Sequence, residues 1–196
     1  MSTMTRMRWP SWTAALAVAG LVLGGAVPVR SQNPRPTEPP RPAAVEDGVA
    51  VYYSPRGGAA EAVMFLVRTA RQSIHMEAFM FTHDGITEAL IEAHRRGVEV
   101  DVIMDRGNAD IDGSARRALR RSGITVYLPP EDLTMHNKVI IIDERTIVTG
   151  SFNFTHWADQ KNAENLLVLH DKPKLARAYL KMHEHLQRGS KKYASE

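Results

Sequence analysis

Eight residues between positions 135 and 165 have the types and spacing that phosphodiester chemistry needs: His136, Lys138, Asp143, Gly150, Ser151, Asn153, Glu164 and Asn165. An imidazole can act as a nucleophile, and ammonium, amide and hydroxyl groups can bind phosphate oxygens. Together they could stabilise the charge that develops on a pentacovalent phosphorus. We therefore predict a catalytic site formed by His136, Lys138, Ser151, Asn153 and Glu164.

The first two of these residues begin a predicted strand. His136 and Lys138 stand two residues apart at the head of the apolar, β-branched run 139–142, which predicts a buried strand. Side chains two apart share one face of a strand, so the imidazole and the ammonium group should point into the same space. A second strand is predicted at 146–149 and ends at Gly150, after which Ser151 and Asn153 again stand two residues apart.

The two acidic residues have different expected roles. Glu164 is the candidate partner for the second ring nitrogen of His136, because a carboxylate there would fix the tautomer and strengthen the nucleophile. Asp143 lies at a strand-to-turn junction, where an aspartate commonly accepts hydrogen bonds from nearby backbone N–H groups. We expect a structural role in the motif for Asp143, as for Gly150 and Asn165.

The spacing as a whole resembles a known signature. The order His136-Asn137-Lys138, then Asp143, then the run 150–153 resembles the signature of the phospholipase D superfamily, and 162–165 resembles its downstream acidic element. The sequence carries one copy, and from about 49 to 188 it resembles the small single-motif bacterial endonucleases of that superfamily. The resemblance implies an α/β fold, in which helices flank a mixed sheet as an α-β-α sandwich, and a phosphodiester hydrolase.

The single motif copy predicts an assembly. Covalent cleavage of a phosphodiester needs a nucleophile and an acid for the leaving oxygen, and members of the superfamily join two motifs across a pseudo-twofold axis. The resemblance therefore implies a homodimer in which one His136 forms a phosphohistidine and the His136 of the second chain is the acid. This scheme needs no cofactor and no metal. No metal-ligand spacing is evident, since His183 and His185 diverge on a helix.

The motif predicts a phosphodiester substrate, but it does not define the groups that are esterified to the phosphate. A sequence-nonspecific endonuclease acting on DNA or RNA is the first hypothesis. Four arginines on one predicted helix could form a basic face for phosphates, with a solvated surface as the alternative: Arg116, Arg117, Arg120 and Arg121. The second hypothesis is a phospholipase D that hydrolyses phosphatidyl headgroups. The third is an inactive module that binds phosphate-rich polymers, which the intact motif disfavours.

The N-terminus predicts export. Arg6 and Arg8 precede a short apolar run at 13–26, the pattern of a signal peptide, here assigned to 1–31. We expect a periplasmic or secreted protein, with an uncleaved membrane anchor as the alternative. The chain has no cysteine, which excludes a cysteine-linked lipid anchor. The formal charge of +3 equals the three arginines before Gln32, so the mature chain would be near neutral, and its charge gives no argument for nucleic acid.

The remaining pattern predicts one domain of alternating elements. Prolines within 34–42 indicate an extended linker over 32–47, followed by a catalytic domain at 48–190 and a tail at 191–196. Strands are predicted at 49–53, 73–82, 98–104, before 129, 139–142, 146–149 and 165–170, and helices at 59–72, 85–96, 114–121 and 174–187. This order favours a sandwich around a mixed sheet. Four apolar residues, Met76, Phe79, Met80 and Phe81, are expected in the core or an interface.

Overall fold

A computed structural model describes residues 38–193, so the expected signal peptide and the first part of the expected linker lie outside the described residues. Within that range the strands are β1 Ala44–Glu46, β2 Val49–Ser54, β3 Ser73–Ala78, β4 Glu99–Met104, β5 Thr125–Leu128, β6 Lys138–Ile142, β7 Thr146–Gly150, β8 Glu164–Leu169 and β9 Lys191–Lys192. The helices are α1 Ala59–Thr69, α2 Asp84–Arg95, α3 Arg116–Arg121, α4 His156–Gln160 and α5 Pro173–Gly189.

All nine of these strands belong to one sheet, in the order β1-β2-β8-β7-β6-β3-β4-β5-β9. The adjacent strands β3, β4 and β5 are parallel to one another, and the remaining pairs are antiparallel. Strands β6 and β7 form a hairpin with a short turn, β7 and β8 are joined by the segment that contains α4, and the parallel pairs use the helical crossovers α2 and α3. The predicted α/β class with a mixed sheet is confirmed.

Helices cover both faces of the sheet. The larger core lies beneath α1, α2, α3 and α4, and includes Val63, Leu90, Leu119 and Ala158 from these helices. Helix α5 packs against the opposite face, where Ala176 lies in a smaller apolar cluster with Val139 and Ile141 of β6 and Ile147 of β7. Side chains alternate between the two faces of a strand, so β6 can contribute to both cores. No helix within residues 38–193 is long and apolar enough to cross a bilayer.

The structure extends the domain beyond both expected boundaries. Strand β1 lies inside the segment predicted as linker, and it pairs with β2 through a turn at Asp47 and Gly48 that has positive φ at both positions. Strand β9 lies inside the predicted tail and pairs with β5. Helix α4 was not predicted either. These three elements have two to five residues, too few to show a hydrophobic period.

Candidate active site

The predicted catalytic residues meet at one end of the sheet. Lys138 opens β6 and lies opposite Ala78, the last residue of β3. In the next pairs Val139 lies opposite Thr149, and Gly150 lies opposite Leu166 near the start of β8. Antiparallel pairing therefore places the beginnings of β6 and β8 beside the ends of β3 and β7. The residues flanking these four strand ends form the candidate site.

Gly150 allows two of the strands to approach closely. A Cβ atom at this position would lie 2.3 Å from the backbone oxygen of Asn165, a separation that no side chain can adopt. The same oxygen accepts a hydrogen bond from the Ser151 N–H at 3.1 Å. In return the backbone N–H and side-chain Nδ2 of Asn165 donate to Ser151 Oγ, at 3.1 and 3.3 Å. Gly150 and Asn165 thus hold the Ser151 hydroxyl in place.

Within residues 38–193 the Glu164 carboxylate has hydrogen-bond partners other than His136, so the expected carboxylate–imidazole hydrogen bond stays a prediction. Its carboxylate accepts a hydrogen bond from Ser151 Oγ at 2.5 Å and another from Asn162 Nδ2 at 2.9 Å. Two donors from neighbouring loops fix the Glu164 side chain beside the site. Spacing along the chain identifies the carboxylate, and the structure shows which donors reach it.

His136 and Lys138 lie on the same side of the chain, as predicted. Lys138 Nζ is 3.5 Å from His136 Nδ1 and donates a hydrogen bond of 2.8 Å to the His136 carbonyl oxygen. Partial burial lowers the pKa of the Lys138 ammonium group from its usual value, and the nearby Glu164 carboxylate opposes that shift. The His136 side chain is exposed.

Phe79 is a site residue that the sequence did not reveal. Its ring centroid lies 4.3 Å from that of His136, with the planes inclined by 52°, and Lys138 Nζ lies 4.7 Å from the Phe79 centroid. The Phe79 N–H also donates to the Asn137 carbonyl oxygen at 3.0 Å. Met76 and Phe81 are fully buried, as expected for core residues. Phe79 resembles them in type, and only the pairing of β3 with β6 places it against the motif.

Asn153 lies between two buried aromatic residues. The flanking Phe152 and Phe154 are both 0% exposed and pack edge-to-face, with centroids 6.3 Å apart. Within residues 38–193, the buried Oδ1 of Asn153 has no hydrogen-bond partner. Because a buried amide without a partner is costly, this group is suited to a ligand that completes its hydrogen bonds.

Asp143 has the structural role that the sequence indicated, with different partners. It and Glu144 have φ of 51° and 52°, the positive values typical of a type I′ hairpin turn. The Asp143 carboxylate accepts hydrogen bonds from the backbone N–H groups of Arg71, Gln72 and Ser73, at 2.7–3.1 Å. These donors lie about seventy residues earlier, in the loop after α1 and at the first residue of β3, and so Asp143 joins the β6–β7 hairpin to the start of β3.

The predicted basic face of four arginines is wrong in part. Arg116 is 5% exposed, forms an ion pair with Asp110, and stacks over the Tyr193 ring at 4.1 Å. Arg120 also lies over Tyr193, at 5.1 Å, and is half-buried. Arg117 and Arg121 are exposed, one helical turn apart. Only this second pair can offer charge to a phosphate backbone.

A separate cluster lies on the face covered by α5. His75, Asp101 and His183 each place a ligand atom within 4.8 Å of the others, although no metal-ligand spacing was found in the sequence. Burial opposes protonation of His183, but hydrogen bonds to Asp101 and Glu77 outweigh it and raise its pKa to about 9. The sequence offered no signal, because the three residues come from β3, β4 and α5.

The fold and the motif together define a family. The family described as "Cardiolipin synthase, PLD-like domain" matches residues 64–187. The chain therefore belongs to the phospholipase D superfamily, with the motif at His136 and Lys138 at the ends of its central strands. This confirms the resemblance read from the sequence.

Similar proteins carry related names. A protein named phospholipase D from Rickettsia bellii is 42% identical over 132 residues, which are 67% of this chain and 65% of that relative's length. A mitochondrial cardiolipin hydrolase from Mus musculus is 37% identical over 102 residues, 52% of this chain and 46% of its own. This chain thus spans less than two thirds of either relative.

Among solved structures, Nuc from Salmonella typhimurium, a phospholipase D family member, matches with a TM-score of 0.71 and 37% identity. That match covers 75% of this chain and 98% of Nuc. NucT from Helicobacter pylori matches with a TM-score of 0.67 and 22% identity, which shows the shared fold alone.

Proposed function

We propose that this chain is a phosphodiester hydrolase that cleaves nucleic acid without sequence preference, through a phosphohistidine on His136. The observation that carries the proposal is the meeting of His136, Lys138, Ser151 and Glu164 at one end of the sheet, with an exposed imidazole. The set supplies a nucleophile, a cation for the nonbridging oxygens and a carboxylate fixed by two donors.

The ring nitrogens of His136 are not equivalent. Lys138 Nζ is the neighbour of Nδ1, at 3.5 Å, so Nε2 is the nitrogen left to attack phosphorus. A substrate phosphate would draw the Lys138 ammonium group toward its oxygens and free Nδ1 to donate to a carboxylate. That donation places the proton on Nδ1 and leaves the Nε2 lone pair for the reaction. Glu164, whose carboxylate is held at the site by Ser151 and Asn162, is our candidate acceptor.

The reaction then proceeds in two displacements. Nε2 forms a bond to phosphorus as the bond to the leaving oxygen breaks, and a second imidazole gives its proton to that oxygen. Water next attacks phosphorus, transfers a proton to the second imidazole, and the Nε2–phosphorus bond breaks. The products are an alcohol and a phosphate monoester, and His136 is regenerated. No metal takes part in this scheme.

We propose that the second imidazole comes from a partner chain. The sequence holds one motif, so we propose a homodimer in which both His136 side chains face one phosphate across a twofold axis. The exposure of His136, Ser151 and Asn165 on an open surface supports this arrangement, because an interface can cover them.

Two observations bear on the substrate. The exposed pair Arg117 and Arg121, and the resemblance to single-motif endonucleases, favour nucleic acid. A phospholipid is the second candidate, since relatives are named phospholipase D and cardiolipin hydrolase, and Trp157, four residues after Asn153, is 68% exposed. Aromatic side chains of this kind favour the interface of a bilayer. Export and an N-terminal signal peptide remain part of the proposal.

The deciding experiment is parallel turnover of plasmid DNA, single-stranded RNA, and vesicles of phosphatidylcholine or cardiolipin by the purified chain, with His136→Ala as the blank. We expect nicking of plasmid or cleavage of RNA and no release of headgroup. Lipid turnover with intact nucleic acid would overturn the nuclease proposal in favour of the second candidate. Binding of all substrates without turnover would support the inactive module.

The shared site has its own test. Sedimentation should give a dimer, and wild-type chains exchanged with an equal amount of His136→Ala chains form about one quarter wild-type dimers by random pairing. Activity should therefore fall to about a quarter of the all-wild-type rate at the same total chain concentration, whereas independent sites would keep half. A fully active monomer would also rule out the shared site.

A further inference from the structure

Four polar side chains occupy positions where the pattern of the chain calls for apolar ones. On β3, His75 and Glu77 alternate with apolar residues that face the other side of the sheet, and Asp101 does the same on β4. His183 lies on the stripe of α5 that faces the sheet, two turns after Ala176. Glu77 is 2% exposed, Asp101 6% and His183 1%. The cluster separates two apolar patches beneath α5.

The four groups contact one another in a chain. Asp101 Oδ1 is 2.6 Å from His183 Nε2, and Asp101 Oδ2 is 2.7 Å from His75 Nδ1. The other nitrogen of His183, Nδ1, is 3.2 Å from Glu77 Oε1. Asn137 Nδ2 donates to Glu77 Oε2 at 2.6 Å. Both oxygens of each carboxylate thus have defined neighbours.

The charges of this cluster need compensation. Within residues 38–193, neither Glu77 nor Asp101 forms an ion pair with a lysine or an arginine, and their only ionic partners are imidazoles. Two buried carboxylates carry two negative charges, and leaving them uncompensated is costly. Either two protons on the imidazoles or one divalent cation neutralises the set.

We propose that His75, Asp101 and His183 form a binding site for a divalent transition-metal ion, with Zn²⁺ as the best match. Two imidazole nitrogens and one carboxylate oxygen are the ligand types that zinc accepts. The three ligand atoms already lie within 4.8 Å of one another. Three protein ligands leave one tetrahedral position for water.

Glu77 completes the arrangement around the ligands. A histidine that binds metal through one nitrogen commonly donates its other N–H to a carboxylate, which fixes the ring. His183 has this disposition, with Nε2 toward Asp101 and Nδ1 toward Glu77, and Asn137 in turn holds Glu77. The support around the site is therefore already in place.

Accommodating the ion needs a small adjustment. Zinc–ligand bonds of about 2.0–2.2 Å place neighbouring ligand atoms roughly 3 Å or more apart. The hydrogen-bonded separations would open by several tenths of an ångström, and the protons would be released. His75, with a side chain 12% exposed, is the ligand at the periphery and the one with room to move.

The ion would stabilise the fold and take no part in hydrolysis. Val139 packs beneath α5, whereas Lys138, one residue earlier on β6, points to the opposite face of the sheet. A metal bound by β3, β4 and α5 would tie α5, which covers that face in residues 38–193, to the strands beneath it. This proposal is independent of the proposed function.

The test uses tag-free full-length chain, stripped with chelator and then dialysed. Titration with ZnCl₂ should give one ion per chain by calorimetry and by elemental analysis. The midpoint temperature of unfolding should rise by about 5–10 °C when the free zinc concentration is a hundred times the dissociation constant. Co²⁺ should give the visible absorption bands of tetrahedral coordination.

Matched variants distinguish the cluster from surface histidines. His75→Gln removes the peripheral ligand and should abolish the stoichiometric binding and the Co²⁺ bands. His185→Gln, an exposed histidine two residues from His183 on α5, should bind like the wild type. Absence of stoichiometric zinc, or equal binding by His75→Gln and the wild type, would overturn the proposal and leave a cluster that holds protons only.

Discussion

The ring of Phe79 lies against the imidazole of His136, with centroids 4.3 Å apart and planes inclined by 52°. The same ring lies 4.7 Å from the Lys138 ammonium nitrogen. One aromatic side chain at the end of β3 therefore limits the positions of both groups that the proposed chemistry uses.

We predict that Phe79→Leu lowers kcat by about tenfold with a smaller change in KM, because misplacing a nucleophile costs more in the transition state than in binding. Phe79→Tyr retains the ring and should stay within about twofold of the wild type. Steady-state kinetics on a chromogenic phosphodiester, with circular dichroism to check folding, measure the effect. Equal rates for the leucine variant and the wild type would mean that the contact does not position His136.

His136→Ala should abolish turnover, with a loss of about a thousandfold or more, while the fold survives because the side chain is exposed. Rapid quenching of the wild type with labelled substrate should trap a phosphoenzyme that is stable in base and labile in acid. Lys138→Ala is the companion variant, with an expected loss of about a hundredfold. Substantial hydrolysis by folded His136→Ala would end the covalent scheme.

Hydrolysis should persist in excess EDTA, because no step of the scheme uses a metal. The assay is best run at 25 °C, below the unfolding transition, so that loss of any structural ion does not unfold the chain. If chelation abolishes activity and a divalent ion restores it without a change in folding, the proposed chemistry is incomplete.

Asp143→Ala should destabilise the domain by about 2–3 kcal/mol, since the carboxylate accepts hydrogen bonds from three successive backbone N–H groups. The expected fall in Tm is about 5–10 °C. Asp143→Asn keeps an oxygen acceptor and tolerates the positive φ, so its loss should be smaller. Glu144→Ala, at the exposed neighbouring position, should stay within about 0.5 kcal/mol of the wild type by urea unfolding.

His83 should make the domain sensitive to mild acid. Burial, helped by the stacked His156 ring at 4.1 Å, lowers the pKa of His83 to about 4, while Asp84 and Glu61 oppose the shift. Its Nδ1 accepts the Ile86 N–H at the start of α2, a hydrogen bond that needs the unprotonated nitrogen. Above about pH 6.5 the His83 imidazole is neutral in both the folded and the unfolded chain. As the pH falls below that value, the imidazole of the unfolded chain is protonated first, which favours unfolding.

Stability is therefore expected to fall as the pH drops from about 6.5 toward 4, by up to about 3 kcal/mol from this residue. His83→Asn preserves a helix-capping acceptor and cannot titrate, so urea unfolding at pH 7, 5.5 and 4.5 should show a shallower decline. His185→Asn, at an exposed position, is the control and should follow the wild type. Parallel curves for His83→Asn and the wild type would contradict the prediction.

The long elements could be predicted from the chain because their signal is local. The run 139–142 is apolar and β-branched, and β6 forms there; the helices predicted at 85–96 and 174–187 occur as Asp84–Arg95 and Pro173–Gly189. The sequence does not predict the short strands β1 and β9. They are too short to show a hydrophobic period, and they are stabilised by pairing with a neighbouring strand.

The sequence by itself determined the family, the α/β class and which residue types gather around His136, because strand alternation and motif spacing are properties of the local chain. Only the tertiary structure decided which side chains contact each other. Its pairs are Glu164 with Ser151, Phe79 with His136, Arg116 with Asp110, and His183 with Asp101. Each of these contacts depends on which strands are neighbours in the sheet and which helix covers them. Sheet order is set by packing of the whole domain, and so it cannot be read from any one segment.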